Sequence, residues 1–135
     1  MKPKQVLSVE QMMHLKELGL DTSDGSMCFE WNESDSDSDS DNMVVASPDA
    51  DTNYDYYHET YTLQNILDKL PHYLNPFPSK QILFAWMIER DAIAYRNVED
   101  IDDCLKHFTD DLLIDAAYEM LCWCIENGYI KTNQL

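Results

Sequence analysis

Residues 112–129, LLIDAAYEMLCWCIENGY, constrain the rest of the chain more than any other stretch. They read as one long helix. At 100° per residue, Asp111, Asp115, Glu119, Cys122 and Glu126 fall in one narrow stripe. Nearly everything else from Leu112 to Ile125 is apolar, including Leu113, Ile114, Met120, Leu121, Trp123 and Cys124. A helix apolar over most of its circumference must be enclosed on several sides. Thr109, Asp110 and Asp111 are placed to cap its start. Asn127-Gly128 is a left-handed stop signal, with Tyr129 set to fold back on Cys124. The spacing predicts a buried Cys124 and, within the acidic stripe, a partly exposed Cys122.

The remaining residues are enough to enclose such a helix. A chain of 135 residues, 44% hydrophobic, supports a single domain with one modest core. The net charge of −17 argues against direct binding to nucleic acid or to an anionic membrane surface and permits a basic partner. No apolar run approaches the roughly 18 residues of a membrane span. Lys2 and Lys4 are not followed by an apolar signal core, so the expected setting is cytoplasmic. The four cysteines, Cys28, Cys104, Cys122 and Cys124, lack framework spacing and read as reduced thiols.

Two further helices are well marked. The first runs from Leu7 to Leu20: Ser8 and Gln11 form a capping box, and Val9, Met12, Met13, Leu15 and Leu18 make an apolar arc. Gly19 is its stop, with Leu20 reaching back to Leu15. The second runs from Leu63 to Leu70, with Thr62 as cap, and ends at Pro71. Ile101, Cys104, Leu105 and Phe108 repeat the helical spacing, so a short third helix is expected ahead of the long one.

Strands fill the gaps. Ser26 to Trp31 alternates as a half-buried strand, and Met43 to Ala46 is a candidate partner. Pro48 to Glu59 reads as loop, and His72 to Ser79 as a Pro-rich connection. Residues 81–96 read as a hairpin, because Ile82, Phe84, Trp86 and Ile88 share one face; a helix is the alternative. Leu83, Ala85 and Met87 then point the other way and need a cover, either from this chain or from a second copy. Leu83 and Met87 are therefore candidate interaction residues, and a homodimer is one outcome. The expected class is α+β: a small antiparallel sheet of two hairpins packed on the long C-terminal helix, with two or three shorter helices.

The acidity is concentrated. From Glu30 through Glu59 the chain holds ten carboxylates and no Lys or Arg, leaving −7 for the rest. Within it, Ser34 to Asp41 alternates Ser and Asp. Such a composition predicts a disordered insertion around 32–59, dispensable for folding. Asp35, Asp37, Asp39 and Asp41 are its candidate interaction residues. Calcium loops use similar spacing but require a Gly at the sixth position and a Glu at the twelfth, and both are missing. The carboxylates would recur about every 6.6 Å in an extended chain, close to the advance of two nucleotides along DNA, about 6.8 Å. An acidic nucleic-acid mimic that inhibits a DNA-binding protein is the second functional reading.

Catalytic signatures are missing. With Gly only at 19, 25 and 128, no nucleophile elbow or phosphate loop can be assembled. Cys104 and His107 lack the further ligands a metal site needs. No cofactor is expected, and the first reading is a non-enzymatic protein acting through protein–protein interaction.

Three stretches together, LSVEQMMHLKELGLDTSDGSMCF, YTLQNILDKLP and LIDAAYEMLCWCIENGYI, carry a resemblance. They are similar to a family of small proteins encoded by gut Bacteroidales bacteria and their phages and mobile elements. The likeness covers about half the chain and is most specific in the last stretch. It implies an α+β fold with a variable centre and a cytoplasmic setting. The Ser-Asp run departs from the family pattern, as an insertion would. No activity is attached to the family, so no site residue carries over.

Overall fold

The computed structural model describes residues 4–30, 43–46 and 57–132; for 28–30, 43–46, 57 and 58 this covers the backbone alone. It is an α+β fold. Helix α1, Val9–Glu17, starts on the expected capping box: the Gln11 N–H donates to Ser8 Oγ at 3.1 Å, and the Ser8 N–H to Gln11 Oε1 at 2.9 Å. It stops where Gly19 turns to φ 96° and the Leu20 N–H donates to the Leu15 carbonyl at 3.1 Å. Only Met12 and Leu15 of α1 are buried. Met13, placed on the apolar arc by spacing, is exposed, because α1 buries a stripe narrower than its run of apolar residues.

A first sheet has the order β2-β1-β3, all antiparallel, with β1 at Met27–Glu30 and β2 at Met43–Ala46. Met27 pairs with Ala46 and Glu30 with Met43, so the expected hairpin is present. Strand β3, Tyr57–Thr60, lies in what reads as loop. It has no apolar alternation to announce it; its place is given by pairing along the other side of β1, Met27 opposite Thr60. The chain then locks onto the N-terminal segment. The Leu7 N–H donates to the Tyr61 carbonyl at 3.0 Å, and the buried Thr60 hydroxyl to the Leu7 carbonyl at 2.7 Å.

Helix α2, Leu63–Lys69, is capped by Thr62, whose Oγ1 accepts from the Asn65 N–H. Leu70 is extended (ψ 132°), the conformation that a following Pro imposes, and the helix ends there.

The second sheet is a meander, β4-β5-β6-β7, antiparallel throughout. Strands β5, Ile82–Glu89, and β6, Ala92–Asn97, form the expected hairpin. The segment read as a Pro-rich connection contributes β4, Tyr73–Phe77. Pro76 is tolerated because β4 is an edge strand, and the register shifts between Leu74 and Phe77 around it. The expected third helix is instead strand β7, Asp100–Thr109. Ile101 and Cys104 are exposed, so the i, i+3, i+4, i+7 spacing marks no buried stripe. Phe108 packs on the core from a strand, opposite Ile93.

Helix α3, Leu113–Glu126, lies on β6 and β7 and against α2, and eight of its fourteen residues are buried. Its N-cap is Leu112, which offers no side-chain oxygen; Asp110 Oδ1 instead accepts from the Leu112 N–H at 3.1 Å, one residue outside the helix. Its end is as read: Gly128 has φ 78°, and the Tyr129 N–H donates to the Cys124 carbonyl at 2.9 Å. Cys124 is fully buried, but Cys122 is buried too, at 8% exposure. The helix is enclosed further round its circumference than the acidic stripe suggests, leaving Glu119 and Glu126 outside.

One cluster joins Leu7, Met12, Leu15, Tyr61, Ile66, Leu74, Phe84, Ile93, Tyr95, Met120 and Leu121. Burying a single aliphatic side chain of this kind contributes ~1.5–3 kcal/mol.

Candidate functional site

The sheet has two unlike faces. Side chains alternate along a strand, and directly paired residues share a face. Phe84, Trp86, Ile93, Tyr95 and Phe108 therefore line the face that meets α3, and all five belong to or pack on the core. Ile82 packs there as well, while Ile88, expected on the same face, is exposed near the turn. Leu83, Ala85 and Met87 alternate to the opposite face, as read from the sequence. Leu83 is exposed and Met87 half-buried.

That outer face holds one ion pair. Arg96 Nε donates to Glu89 Oε1 at 2.7 Å, with Nη2 at 2.6 Å from the same oxygen. Arg96 sits opposite Ala85 and Glu89 opposite Ala92, so the guanidinium reaches along the strand past Ala94. Ala92 and Ala94 are buried on this face. Arg96 Nη1 also donates to the Ile101 carbonyl at 3.0 Å. The Glu89 hydrogen bond holds the guanidinium above its ordinary pKa.

Around Arg96 and toward the end of the sheet where β5 and β7 begin, large apolar side chains remain in solvent. Tyr73 is 60% exposed and Ile101 61%, and Phe77, Leu83 and Val98 are exposed as well. Leu83 and Val98 are direct neighbours, the Val98 N–H donating to the Leu83 carbonyl at 3.0 Å, and Ile101 follows three residues on. Tyr73, opposite Ala85, shares the outer face level with Arg96, whereas Phe77, opposite Ile82, takes the face that meets α3. Isolated exposed apolar residues are ordinary; a contiguous group is not. Four exposed carboxylates, Glu99, Asp100, Asp102 and Asp103, alternate with Val98 and Ile101 along the same turn and strand. The nearby Lys80 ammonium sits over the Phe77 ring, 5.7 Å from its centre.

Both edges of this sheet are blunted. Strand β4 has Pro76 and a register shift. Strand β7 has shifts opposite Tyr95–Arg96 and Arg96–Asn97, together with its aspartates. Bulges and like charges at an edge discourage strand addition. The approachable surface is thus the face and end of the sheet.

A concavity of about 580 Å³ lies between the N-terminal segment and the starts of α2 and α3. Leu63, Leu67, Leu112 and Leu113 wall it. Its cation, Lys4, is already committed: Nζ donates to Gln11 Oε1 at 2.8 Å and to Asp115 Oδ1 at 2.7 Å. Gln11 Nε2 donates to the same Asp115 oxygen at 2.9 Å. The trio ties the N-terminal segment, α1 and α3 together and reads as structural.

Of the residues singled out from the sequence, Asp35, Asp37, Asp39 and Asp41 lie outside the described residues. Leu83 and Met87 fall on one face; Leu83 joins an exposed group that the sequence did not assemble, while Met87, half-buried toward the other end of β5, does not. Val98 and Ile101 were missed: Val98 lies between the hairpin and the expected helix, where no element was read, and Ile101 in the expected helix. Cys104 and His107 are exposed on β7. Among the described residues, no three His, Cys, Asp or Glu side chains are grouped as a metal would require, and no helix is long and apolar enough to cross a membrane.

The architecture is that of a small α+β protein with one sheet face packed on helix and part of the other open. Comparison with protein-family models, curated proteins and solved structures gave no match.

Proposed function

We propose that this protein acts without catalysis, by binding another protein through the β5–β7 end of the four-stranded sheet. The observation that carries the reading is the exposure of Leu83, Val98 and Ile101 together at that end, with Val98 hydrogen-bonded to the Leu83 backbone, on a rigid scaffold. Covering such a group removes apolar surface from water at roughly 25 cal/mol per Å², without reordering the fold. The resemblance to proteins of Bacteroidales phages and mobile elements supports a cytoplasmic accessory role as the setting.

The test uses tagged wild-type protein and a Leu83→Asp/Ile101→Asp variant of matched melting temperature, each used for affinity capture from the native source. A protein that co-purifies with the wild type and is lost with the variant is the expected result. A variant that retains every co-purifying protein overturns the reading.

A further inference from the structure

Resting on that reading, we infer that the partner of this end of the sheet presents apolar side chains flanked by Lys or Arg. The argument is charge complementarity at an apolar surface. Glu99, Asp100, Asp102 and Asp103 stand among Val98 and Ile101, all six exposed. The cation beside them is occupied: Arg96 is engaged by Glu89 and by the Ile101 carbonyl. Asp100 and Asp103 accept only neutral donors, the Asp102 N–H and the Asn97 amide, among the hydrogen bonds of this segment. An apolar segment without cations would cover Val98 and Ile101 while pressing four carboxylates against a surface that cannot compensate them, which is costly. A segment with cations at its margins pairs them at the rim, where they steer approach and set specificity.

The same charges disfavour a second copy of this chain as the occupant. A twofold contact is self-complementary, so it would bring four more carboxylates to the interface. Each molecule also carries a net charge of −17. Strand addition to β7 is disfavoured by the breaks in its register.

Three synthetic peptides of equal length serve as probes against the full-length protein: alternating Leu-Lys, alternating Leu-Glu and alternating Ser-Lys. Amide chemical shifts report where each binds. Perturbation by Leu-Lys alone, centred on Leu83 and residues 98–103 and weakening as salt rises, is the expected result. The Leu83→Asp/Ile101→Asp variant should abolish it. A Glu99→Gln/Asp100→Asn/Asp102→Asn/Asp103→Asn variant should weaken it about tenfold, as modest rim contributions sum. Equal binding of Leu-Glu at this end would overturn the cationic partner while leaving the binding surface in place. Equal binding of Ser-Lys would show a merely electrostatic contact and overturn the apolar half of the inference. Shifts confined to residues 32–42, or none from any peptide, would remove both this inference and the surface itself. A dimer by sedimentation that Ile101→Asp dissociates would replace the cationic partner with a second copy.

Discussion

The Tyr95 hydroxyl donates to the carbonyl of Pro71 at 2.7 Å. The bond runs from the middle of β6, beneath α3, to the residue that terminates α2. Tyr95 is fully buried and its hydroxyl also meets the Cys124 thiol, so burial drives its pKa well up. One side chain thereby fixes the sheet, the end of α2 and the last turn of α3 in one arrangement. Tyr95→Phe keeps the ring but leaves the Pro71 carbonyl without this donor. A loss of ~1–3 kcal/mol in urea unfolding is expected. A loss below a few tenths would mean that water replaces the hydroxyl.

Gly25 passes so close to β3 that a Cβ there would lie 2.6 Å from the Thr60 carbonyl oxygen. Thr60 cannot give way easily, because its own hydroxyl is tied to Leu7. Gly25→Ala should therefore cost ~1–3 kcal/mol by overpacking. At Gly128 a Cβ would meet nothing, and the cost of Gly128→Ala is conformational, at φ 78°; roughly 1 kcal/mol is expected. Thermal melts of the two variants should rank them in that order.

Burial raises the Asp115 carboxyl, but hydrogen bonds from Lys4 and Gln11 outweigh it and hold the pKa below the ordinary value. A group depressed on folding contributes stability above its unfolded pKa, about 3.9 for Asp. That stability is lost as pH falls through the folded value. Asp115→Asn should thus be ~1 kcal/mol less stable than wild type at pH 7. The gap should close below about pH 3.9. Melting curves between neutral pH and pH 3 check the sign; a gap that widens on acidification refutes it.

Native thiols should react in a fixed order. Cys104 is exposed, whereas burial pushes Cys122 up to about 11 and Cys124 up to about 12. The thiolate is the nucleophile, so both helix cysteines are doubly protected. At pH 8, site-resolved mass spectrometry after brief alkylation should find Cys104 modified well before Cys122 and Cys124. Modification of Cys124 ahead of Cys122 would contradict the register of α3.

Leu121 is fully buried within α3, in the cluster that joins it to the sheet. Leu121→Ala should cost ~2–5 kcal/mol in chemical unfolding. Leu112→Ala, at the exposed start of the helix, should change stability by less than about 0.5 kcal/mol.

Local sequence determined the helices and their ends. Ser8 with Gln11, Thr62 ahead of α2, Pro71 after it, and Gly19 and Gly128 act within one turn of chain, so their effects need no distant partner. The burial of Cys124 and the facing of Leu83 and Met87 follow from 3.6- and 2-residue periods. The α+β class follows with them. The tertiary structure decided the rest. Strands β3, β4 and β7 exist because β1, β5 and β6 offer them unpaired backbone, and such ladder bonds outweigh weak local preference. The helical spacing from Ile101 to Phe108 yielded to that pairing. Burial of Cys122 depends on how far neighbours wrap α3, a distance that no residue of α3 encodes. The candidate site is of the same kind. Leu83, Val98 and Ile101 span nearly twenty positions in sequence, and only the order of the meander brings them to one end of a sheet.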